Sequence, residues 1–386
     1  MARATPRLLK DLNERTVLET IRQGSPISRA EISRRVGISK PTVSLALQSL
    51  VDAGLVRRAE QEPGGPSYGA VFFEPVAEAA LVLGLDLGAR FLRGAICDLR
   101  GEIRARQDVE IQVADAERAV EEILNLRASL VESAGLEARL LDGVVLGVPG
   151  VVETPAGRLN LATNVAGLDG REFGSELQER LGLSVTLEND INLAALGEQR
   201  LGVARGVDNF VFLSVGTGFG AGLVLHGELH RGQHGAAGEL DYALPALGPD
   251  ADPSAGAVVA LAARLAAEPG AETSLAPPYE PRAIFAAARG GDGVARAVVA
   301  ELARRIALHV APIAAVVDVE LVVLGGGLGR NGDLLLEPIR RLLREWLPYP
   351  PRVEVSTVGD AAVLAGALSV GLRSALDNVF VELRRT

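Results

Sequence analysis

The chain has 386 residues, 48% of them hydrophobic, and a formal net charge of −10; this length and composition predict two or three domains with buried cores and exclude global disorder. The single cysteine, Cys97, excludes an intramolecular disulfide framework and a thiolate-rich metal cluster, and its apolar neighbours favour a buried, inert thiol. Apolar runs such as 144–152 are far shorter than the ~20 residues of a membrane helix, and the N-terminus lacks an apolar signal core, so we expect a cytoplasmic protein without membrane contact.

The first 60 residues differ from the rest of the chain in charge. They hold 11 Lys and Arg against 6 Asp and Glu, which gives +5, and the remainder therefore carries −15. A basic segment on an acidic body predicts contact with nucleic acid at one end of the molecule.

Two helices are predicted first in this basic segment. Residues 7–23 carry apolar side chains, Leu12 among them, near helical spacing, which indicates an amphipathic helix. Ser28 followed by Glu31 is a capping-box pattern and predicts the start of a second helix. Gly37 indicates the turn that ends it.

A third helix is predicted to begin at Ser39, with Pro41 in its first turn. With the second helix it forms a helix-turn-helix, for which an ordinary three-helix bundle with a solvated face is the alternative. Its exposed side offers small or polar groups suited to phosphates and to base edges in the major groove. The predicted DNA-binding residues are Ser39, Lys40, Thr42, Ser44 and Gln48.

A hairpin follows, with strands at 55–58 and 70–73 around a Pro/Gly-rich tip at 62–69. This hairpin looks like the wing of a winged helix. A short linker, 74–80, leads to the body.

The body begins with a strand at 81–88 that carries an Asp-X-Gly pattern at Asp86 and Gly88, and 93–99 continues as a second strand. The next predicted elements are a helix at 116–134, a strand at 143–146 and a loop at 147–150.

Residues 183–242 hold the densest set of candidate functional groups. Glu188, Asn189 and Asp190 stand between an apolar strand and a helical pattern, where an Asp can accept a sugar hydroxyl or take its proton. Helix capping is the alternative, because Asp and Asn are among the commonest N-cap residues.

A glycine-rich segment, 215–222, lies between strands at 210–213 and 223–225. Glycines allow positive φ and bring N–H groups close to a phosphate, and the flanking strands predict a hairpin. A plain tight turn is the alternative. The run 235–239 then places a carboxylate, Glu239, after small residues.

The C-terminal part is predicted to be helical around a buried strand. Residues 249–280 hold a short helix with loops, and 294–310 form a long helix. The strand at 321–324 ends in glycines at 325–327, and 360–367 is a helix of small residues suited to close packing.

Together, the Glu-Asn-Asp, glycine-rich and Gly-Ala-Ala-Gly-Glu segments make the sequence resemble the ROK family (repressor, open reading frame, kinase) of sugar kinases and sugar-responsive repressors, over nearly the whole chain. The resemblance implies an α/β protein in which an N-terminal winged helix-turn-helix precedes a two-lobed actin-like body of the ribonuclease H-like, sugar kinase type. The implied domains are a winged head at 1–75, a first lobe at 76–190 with the C-terminal tail 370–386, and a second lobe with the dimerisation region at 191–369.

The resemblance also implies that a sugar lies between the lobes. The implied sugar-binding residues are Asn164, Asn189, Asp190, Glu239 and Tyr242, with Asp190 in the place of the kinase base, although Asn164 by local sequence is a turn residue. The implied degenerate nucleotide-binding residues are Asp86, Gly88, Gly216, Thr217, Gly218 and Gly326.

Several positions depart from the family pattern. Ala89 and Arg90 stand where kinases carry a hydroxyl and a lysine near the phosphates, and Tyr242 replaces a His that in relatives touches metal and sugar. The cysteine triplet of zinc-bearing members is absent, so a His–Cys₃ site cannot form. Tyr68, and no Arg, stands near the wing tip, which argues against direct minor-groove readout by the wing. We expect no metal and no cofactor.

These features favour a sugar-responsive DNA-binding regulator, a repressor and not an enzyme, with operator DNA and a small sugar as partners and a homodimer or dimer of dimers as the assembly. Closure of the lobes would change the spacing of two heads on DNA. The alternative is an ATP-dependent sugar kinase with an appended DNA-binding domain, with Asp190 as general base and Asp86 near magnesium. A third interpretation is a constitutive DNA-binding protein whose body only dimerises.

Overall fold

The computed structural model describes residues 6–59, 71–88, 90–111, 115–153, 157–162 and 167–382. The helices are α1 (Pro6–Gly24), α2 (Arg29–Val36), α3 (Lys40–Asp52), α4 (Ala116–Ser133), α5 (Phe173–Leu181), α6 (Asp190–Leu201), α7 (Leu244–Leu247), α8 (Ala255–Ala266), α9 (Pro281–Gly290), α10 (Gly293–Val317), α11 (Gly326–Gly329), α12 (Gly332–Trp346) and α13 (Ala362–Glu382). The strands are β1 (Ile27–Ser28), β2 (Val56–Arg58), β3 (Phe72–Pro75), β4 (Leu81–Leu87), β5 (Phe91–Asp98), β6 (Ile103–Glu110), β7 (Gly143–Val148), β8 (Val151–Glu153), β9 (Arg158–Asn160), β10 (Val185–Asn189), β11 (Phe210–Val215), β12 (Phe219–Leu225), β13 (Glu228–His230), β14 (Leu321–Gly325) and β15 (Arg352–Val355).

The head is a winged helix-turn-helix formed by α1 to α3 and a small sheet. Ser39 caps α3, since its hydroxyl accepts from the Thr42 N–H at 3.4 Å. Gly37 ends α2 in the left-handed region, at φ 67°. The sheet has strand order β1-β3-β2, so the wing hairpin gains a third strand that the sequence did not predict. The wing tip and its Tyr68 lie outside the described residues.

Two local predictions in the head need correction. Ser28 caps α2 by accepting from the Glu31 N–H at 3.3 Å, but the Glu31 carboxylate pairs with Arg35 at 2.8 Å rather than returning to the cap. The capping box is therefore half formed. Leu12 is 58% exposed, because the buried stripe of α1 lies on the opposite side of the helix, along Glu14, Val17, Leu18 and Ile21.

The body contains two five-stranded sheets with the same topology. The first has the order β10-β7-β4-β5-β6 and the second the order β13-β12-β11-β14-β15. In each, the first three strands in sequence form an antiparallel meander, and the last two add in parallel beside the first strand. We call the sheets with their packed helices the first and second lobes; this is the actin-like architecture.

Helix α13 joins the first lobe to the head. It packs on β4, where Gly84 leaves room for Leu368, and its far end places Phe380 in a core cluster with Leu18 and Ile21 of α1. Among the described residues, Gly359–Val381 is the stretch whose length and composition would suit a membrane helix. Here it packs against the first sheet and α6, as core helices of globular domains do.

Helices α6 and α13 pack with almost no space between their backbones. A Cβ added at Gly366 would lie 1.9 Å from the Leu193 carbonyl oxygen, and one at Gly197 would lie 2.1 Å from the Ala362 oxygen. Glycine is therefore required at both crossing points. Because α6 begins at Asp190, this contact ties the candidate sugar residue to the helix that reaches the head.

Several element boundaries differ from those predicted. Helix α10 continues to Val317 through Pro312, and α13 continues to Glu382. Strand β12 begins at Phe219 rather than at residue 223. The glycine-rich segment is a hairpin, as predicted, because β12 pairs antiparallel with β11.

Candidate functional site

Asn189 and Asp190 lie at the junction of β10 and α6. Asn189 is the N-cap: its Oδ1 accepts from the Asn192 N–H at 3.0 Å, and its Nδ2 donates to the Gly150 carbonyl at 3.0 Å. The capping alternative thus holds for Asn189, which also ties α6 to the loop after β7. Asp190 is the first helical residue and accepts from the Ile191 N–H at 2.8 Å.

A cavity of about 210 Å³ lies between the lobes beside Asp190. Its lining includes Asp86 and Gly88 from the first lobe and Gly326 from the second. Thus four of the predicted residues share one cavity, which we call the cleft cavity. Asn164 lies outside the described residues.

The charges in the cleft cavity are arranged around an arginine from β5. Arg93 donates to the buried Asp86 carboxylate at 3.0 Å and lies 3.6 Å from Asp108. Burial raises the pKa of Asp86 to about 6 despite this guanidinium. Burial, and then the charge of Asp86, raise the pKa of Asp190 to about 7.

The raised pKa of Asp190 predicts a pH-dependent stability. Because the native value, about 7, exceeds the ordinary 3.8, the folded chain keeps a proton here that the unfolded chain releases between about pH 4 and 7. The contribution of Asp190 to stability therefore falls as the pH rises through that window. Relative to the unchanged chain, we expect Asp190→Asn to gain melting temperature between about pH 5 and about pH 8.

The control for this measurement is Asp333→Asn. Arg289 holds the pKa of Asp333 below its ordinary value, so this carboxylate stays ionised throughout that range in both folded and unfolded chains. Its stability difference from the unchanged chain should therefore stay constant. A gain for Asp190→Asn that is no larger than that of the control contradicts the assignment.

Glu239 is held beside β12 by its neighbour Gly238. The Ala221 N–H donates to the Gly238 carbonyl at 2.8 Å, and Gly238 has φ +93° with no room for a Cβ against the Ala221 oxygen. Burial raises the pKa of the Glu239 carboxyl, and the charge of Glu239 contributes to the raised pKa of Asp190. Tyr242 is 56% exposed. Partial burial of its hydroxyl is the main cause that raises the pKa of Tyr242, and the charge of Glu239 is the second.

The segment 231–239 links the lobes. Arg231 donates to Glu188 at 2.6 Å, and the buried Glu188 also accepts from Asn192 Nδ2 at 3.0 Å. Gly235 lies against β8, since a Cβ there would come within 2.7 Å of the Val152 oxygen. The segment that carries Glu239 is therefore fixed to β10, the strand that ends at Asn189.

The two glycine-rich segments meet at the second-lobe side of the cleft. Gly326 has φ +77°, and a Cβ there would lie 2.4 Å from the Val215 oxygen. Gly216 and Gly218 do not adopt positive φ, so this part of the prediction was wrong for these two glycines. Thr217 between them is exposed. Asp241 accepts from the Phe219 N–H at 3.2 Å, which places a carboxylate against the hairpin turn.

The head presents a separate basic surface. Arg29, Lys40 and Arg58 line a pocket of about 370 Å³ between α2, α3 and the wing strands. Within the described ranges, no ion pair involves these three side chains, whereas the neighbouring Arg57 pairs with Glu74 at 2.7 Å. Such a cluster suits phosphate groups.

The predicted DNA-binding side chains partly satisfy one another. The Ser39 and Thr42 hydroxyls are 2.8 Å apart. The Ser44 hydroxyl donates to the Lys40 carbonyl at 2.9 Å and accepts from Arg29 at 3.0 Å. The Gln48 amide donates to Asp52 at 2.7 Å.

Sequence reasoning missed Arg29, Arg58, Arg93 and Arg231. None of them stands in a recognisable motif, and Arg93 and Arg231 meet their partners, Asp86 and Glu188, only through the fold. The basic balance of residues 1–60 was the signal for the first two. Within the part of the chain that is described, no three His, Cys, Asp or Glu side chains stand close enough together to hold a metal ion.

Two family models match the chain. The model for the ROK family matches residues 82–373, and the model for winged helix-turn-helix DNA-binding domains matches residues 10–57.

The individual relatives include proteins named as repressors and proteins named as kinases. A xylose repressor of Caldicellulosiruptor bescii is 27% identical over 94% of this chain and 96% of its own length. A glucokinase of Streptomyces coelicolor is 31% identical over 74% of this chain and 96% of its own. A solved ROK family transcriptional regulator, described as a homologue of the E. coli MLC protein, superposes with a TM-score of 0.80 at 24% identity over 97% of this chain and 98% of its own.

Proposed function

Because the chain belongs to the ROK family, we propose that it is a sugar-responsive DNA-binding repressor whose effector sits between the two lobes. The observation that carries the proposal is the physical continuity from the cleft to the head: α6 starts at Asp190, crosses α13 at Gly366, and α13 packs into the core of the head. The match to a xylose repressor over almost the whole chain supports it.

In this proposal Asp190 and Glu239 accept hydrogen bonds from sugar hydroxyls, with Asn189 and Tyr242 beside them and Asn164 as a further contact. Two observations support this assignment. The charge of Glu239 contributes to the raised pKa of Asp190, so the two carboxyl groups interact. The Asn189 amide is held by its hydrogen bond to the Gly150 carbonyl. A carboxylate binds a hydroxyl more strongly than a neutral acceptor does.

The body acts as a sensor rather than an enzyme. A kinase would need a cation beside Asp86 and free amides at the glycine hairpin. Here the Arg93 guanidinium lies on Asp86, and Asp241 accepts from the hairpin at Phe219. The positive charge of Arg93 thus takes the place beside Asp86 where a kinase would hold a metal ion. The negative charge of Asp241 takes the place at the hairpin where a kinase would hold a phosphate. Asp86, Gly88, Gly216, Thr217, Gly218 and Gly326 would then be remnants of a nucleotide site.

Regulation follows from the difference in sugar affinity between two arrangements of the lobes. In a cytoplasmic homodimer, or a dimer of dimers, two heads must engage half-sites about one helical turn apart or a multiple of it. A change in lobe closure alters that spacing. Simultaneous contact, and the avidity it provides, is then lost.

The deciding experiment measures binding to DNA from the protein's own upstream region by fluorescence anisotropy at fixed salt. Xylose, glucose and N-acetylglucosamine are titrated with and without Mg-ATP. We expect one sugar to change DNA affinity without any consumption of ATP. If that sugar causes ATP to be consumed, the kinase alternative, which the glucokinase relative favours, replaces the proposal. If no sugar alters DNA binding, the body only dimerises.

Phosphate binding by the head gives a further prediction. We expect Arg58→Ala to weaken binding to operator and unrelated duplexes alike, and to reduce the slope of log K against log salt by about 0.9. Arg57→Ala is the matched control, since Arg57 is adjacent but paired with Glu74. A slope for Arg58→Ala equal to that of the unchanged chain would remove Arg58 from the phosphate contacts.

A further inference from the structure

The outward face of α3 has an apolar centre. Val43, Ala46, Leu47 and Leu50 form its buried side. At helical spacing the opposite side falls on Pro41, Leu45, Gln48 and Asp52. Leu45 stands in the middle of this side and is 73% exposed. A leucine exposed to this extent at the centre of a helix-turn-helix recognition face is available to a partner.

The polar neighbours of Leu45 on α3 are engaged in hydrogen bonds within the head. Ser44 is engaged with Lys40 and Arg29, and the Gln48 amide is engaged with Asp52. The side chain at the centre of this face that has no hydrogen bond to give up is therefore the apolar one.

Charge complementarity identifies the occupant of this face. Arg29, Lys40 and Arg58 line the pocket beside the start of α3 and carry no ion pair among the described residues. A DNA backbone placed on these cations would bring the outward face of α3 to the major groove. The apolar group that base pairs display there is the C5-methyl group of thymine.

We propose that Leu45 reads thymine in the operator half-site through contact with its C5-methyl group. The inference rests on the proposed function, because it requires the head to bind duplex DNA. It adds the base that is read and the side chain that reads it.

The test uses duplexes that the purified full chain selects from a random library, with binding measured by anisotropy at fixed salt. Each thymine of the selected site is replaced in turn by deoxyuridine, which lacks only the methyl group. We expect at least one replacement per half-site to weaken binding by about three- to tenfold, the effect of losing one buried methyl contact. Leu45→Ala should weaken binding to the thymine duplex similarly and lose the sensitivity to deoxyuridine.

Leu12→Ala is the control, because it removes another exposed leucine of the head, on α1. It should keep the full sensitivity to deoxyuridine, and both variants should melt like the unchanged chain. Deoxyuridine replacements without effect, or with the same effect in Leu45→Ala, overturn the inference and leave DNA binding intact. Failure to select any duplex would instead overturn the proposed function.

Discussion

Asp190→Asn is expected to shift the sugar response to about 10- to 100-fold higher sugar concentrations while leaving DNA binding in place. The carboxylate of Asp190 lines the cleft cavity, and its replacement by a neutral amide removes a charge-assisted hydrogen bond to a sugar hydroxyl. Bonds to charged groups contribute about 1.5–3 kcal/mol, so sugar affinity should fall about 10- to 100-fold. The measurement is the sugar concentration that half-maximally changes DNA anisotropy at pH 8, where Asp190, with its pKa of about 7, is mostly ionised.

Two comparisons make the result interpretable. Asp333→Asn, in the first turn of α12, should leave the sugar response unchanged. DNA affinity without sugar should be equal in all three proteins, because Asp190 lies on the body and not on the head. If Asp190→Asn responds to sugar at the same concentrations as the unchanged chain, Asp190 is not a sugar ligand.

Among the substitutions considered, Gly366→Ala is expected to lower the free energy of unfolding most. The new Cβ would lie 1.9 Å from the Leu193 carbonyl oxygen, a backbone atom that cannot move aside without displacing α6. Overpacking of this kind costs about 3 kcal/mol, and the melting temperature should fall by about 6 °C. Alanine has a higher helix propensity than glycine, so propensity alone would make this exchange stabilising. A loss of stability therefore reports the steric contact.

Gly290→Ala on α9 is the matched control for this experiment. Nothing lies within 4 Å of its Cβ position, so the same exchange should be neutral or slightly stabilising. Differential scanning calorimetry compares the two variants. A melting temperature of Gly366→Ala at or above that of the control would mean that α6 and α13 do not meet as closely as described.

The features that the sequence predicted correctly depend on residues close together along the chain. The cap at Ser39, the turn at Gly37 and the hairpin between β11 and β12 each depend on residues a few positions apart. Capping and turn chemistry act over that range, which is why the predictions hold. The family resemblance supplied the pairing of the lobes, which local patterns do not contain.

The features that the sequence did not predict depend on pairing across distance. Arg231 meets Glu188 although 43 residues separate them. Arg93 meets Asp86 because β4 and β5 pair in a register that places them opposite each other. Leu45 is not among the predicted contacts because the pattern that indicates DNA binding on α3 is polar, whereas Leu45 is available to a partner through its exposure. Periodicity specifies which face is buried and not what each exposed side chain meets.

The core that joins the head to the first lobe has a consequence for unfolding. Val17, Leu18 and Ile21 of α1 share one apolar cluster with Val82 and Cys97 of the first sheet and with Leu372 and Phe380 of α13. Arg22 bonds the Leu99 carbonyl at 2.7 Å across the same boundary. A head cut free of the body would expose this cluster to water. The DNA-binding head is therefore not an autonomous module: it belongs to one cooperative folding unit with the first lobe, and the two should melt together.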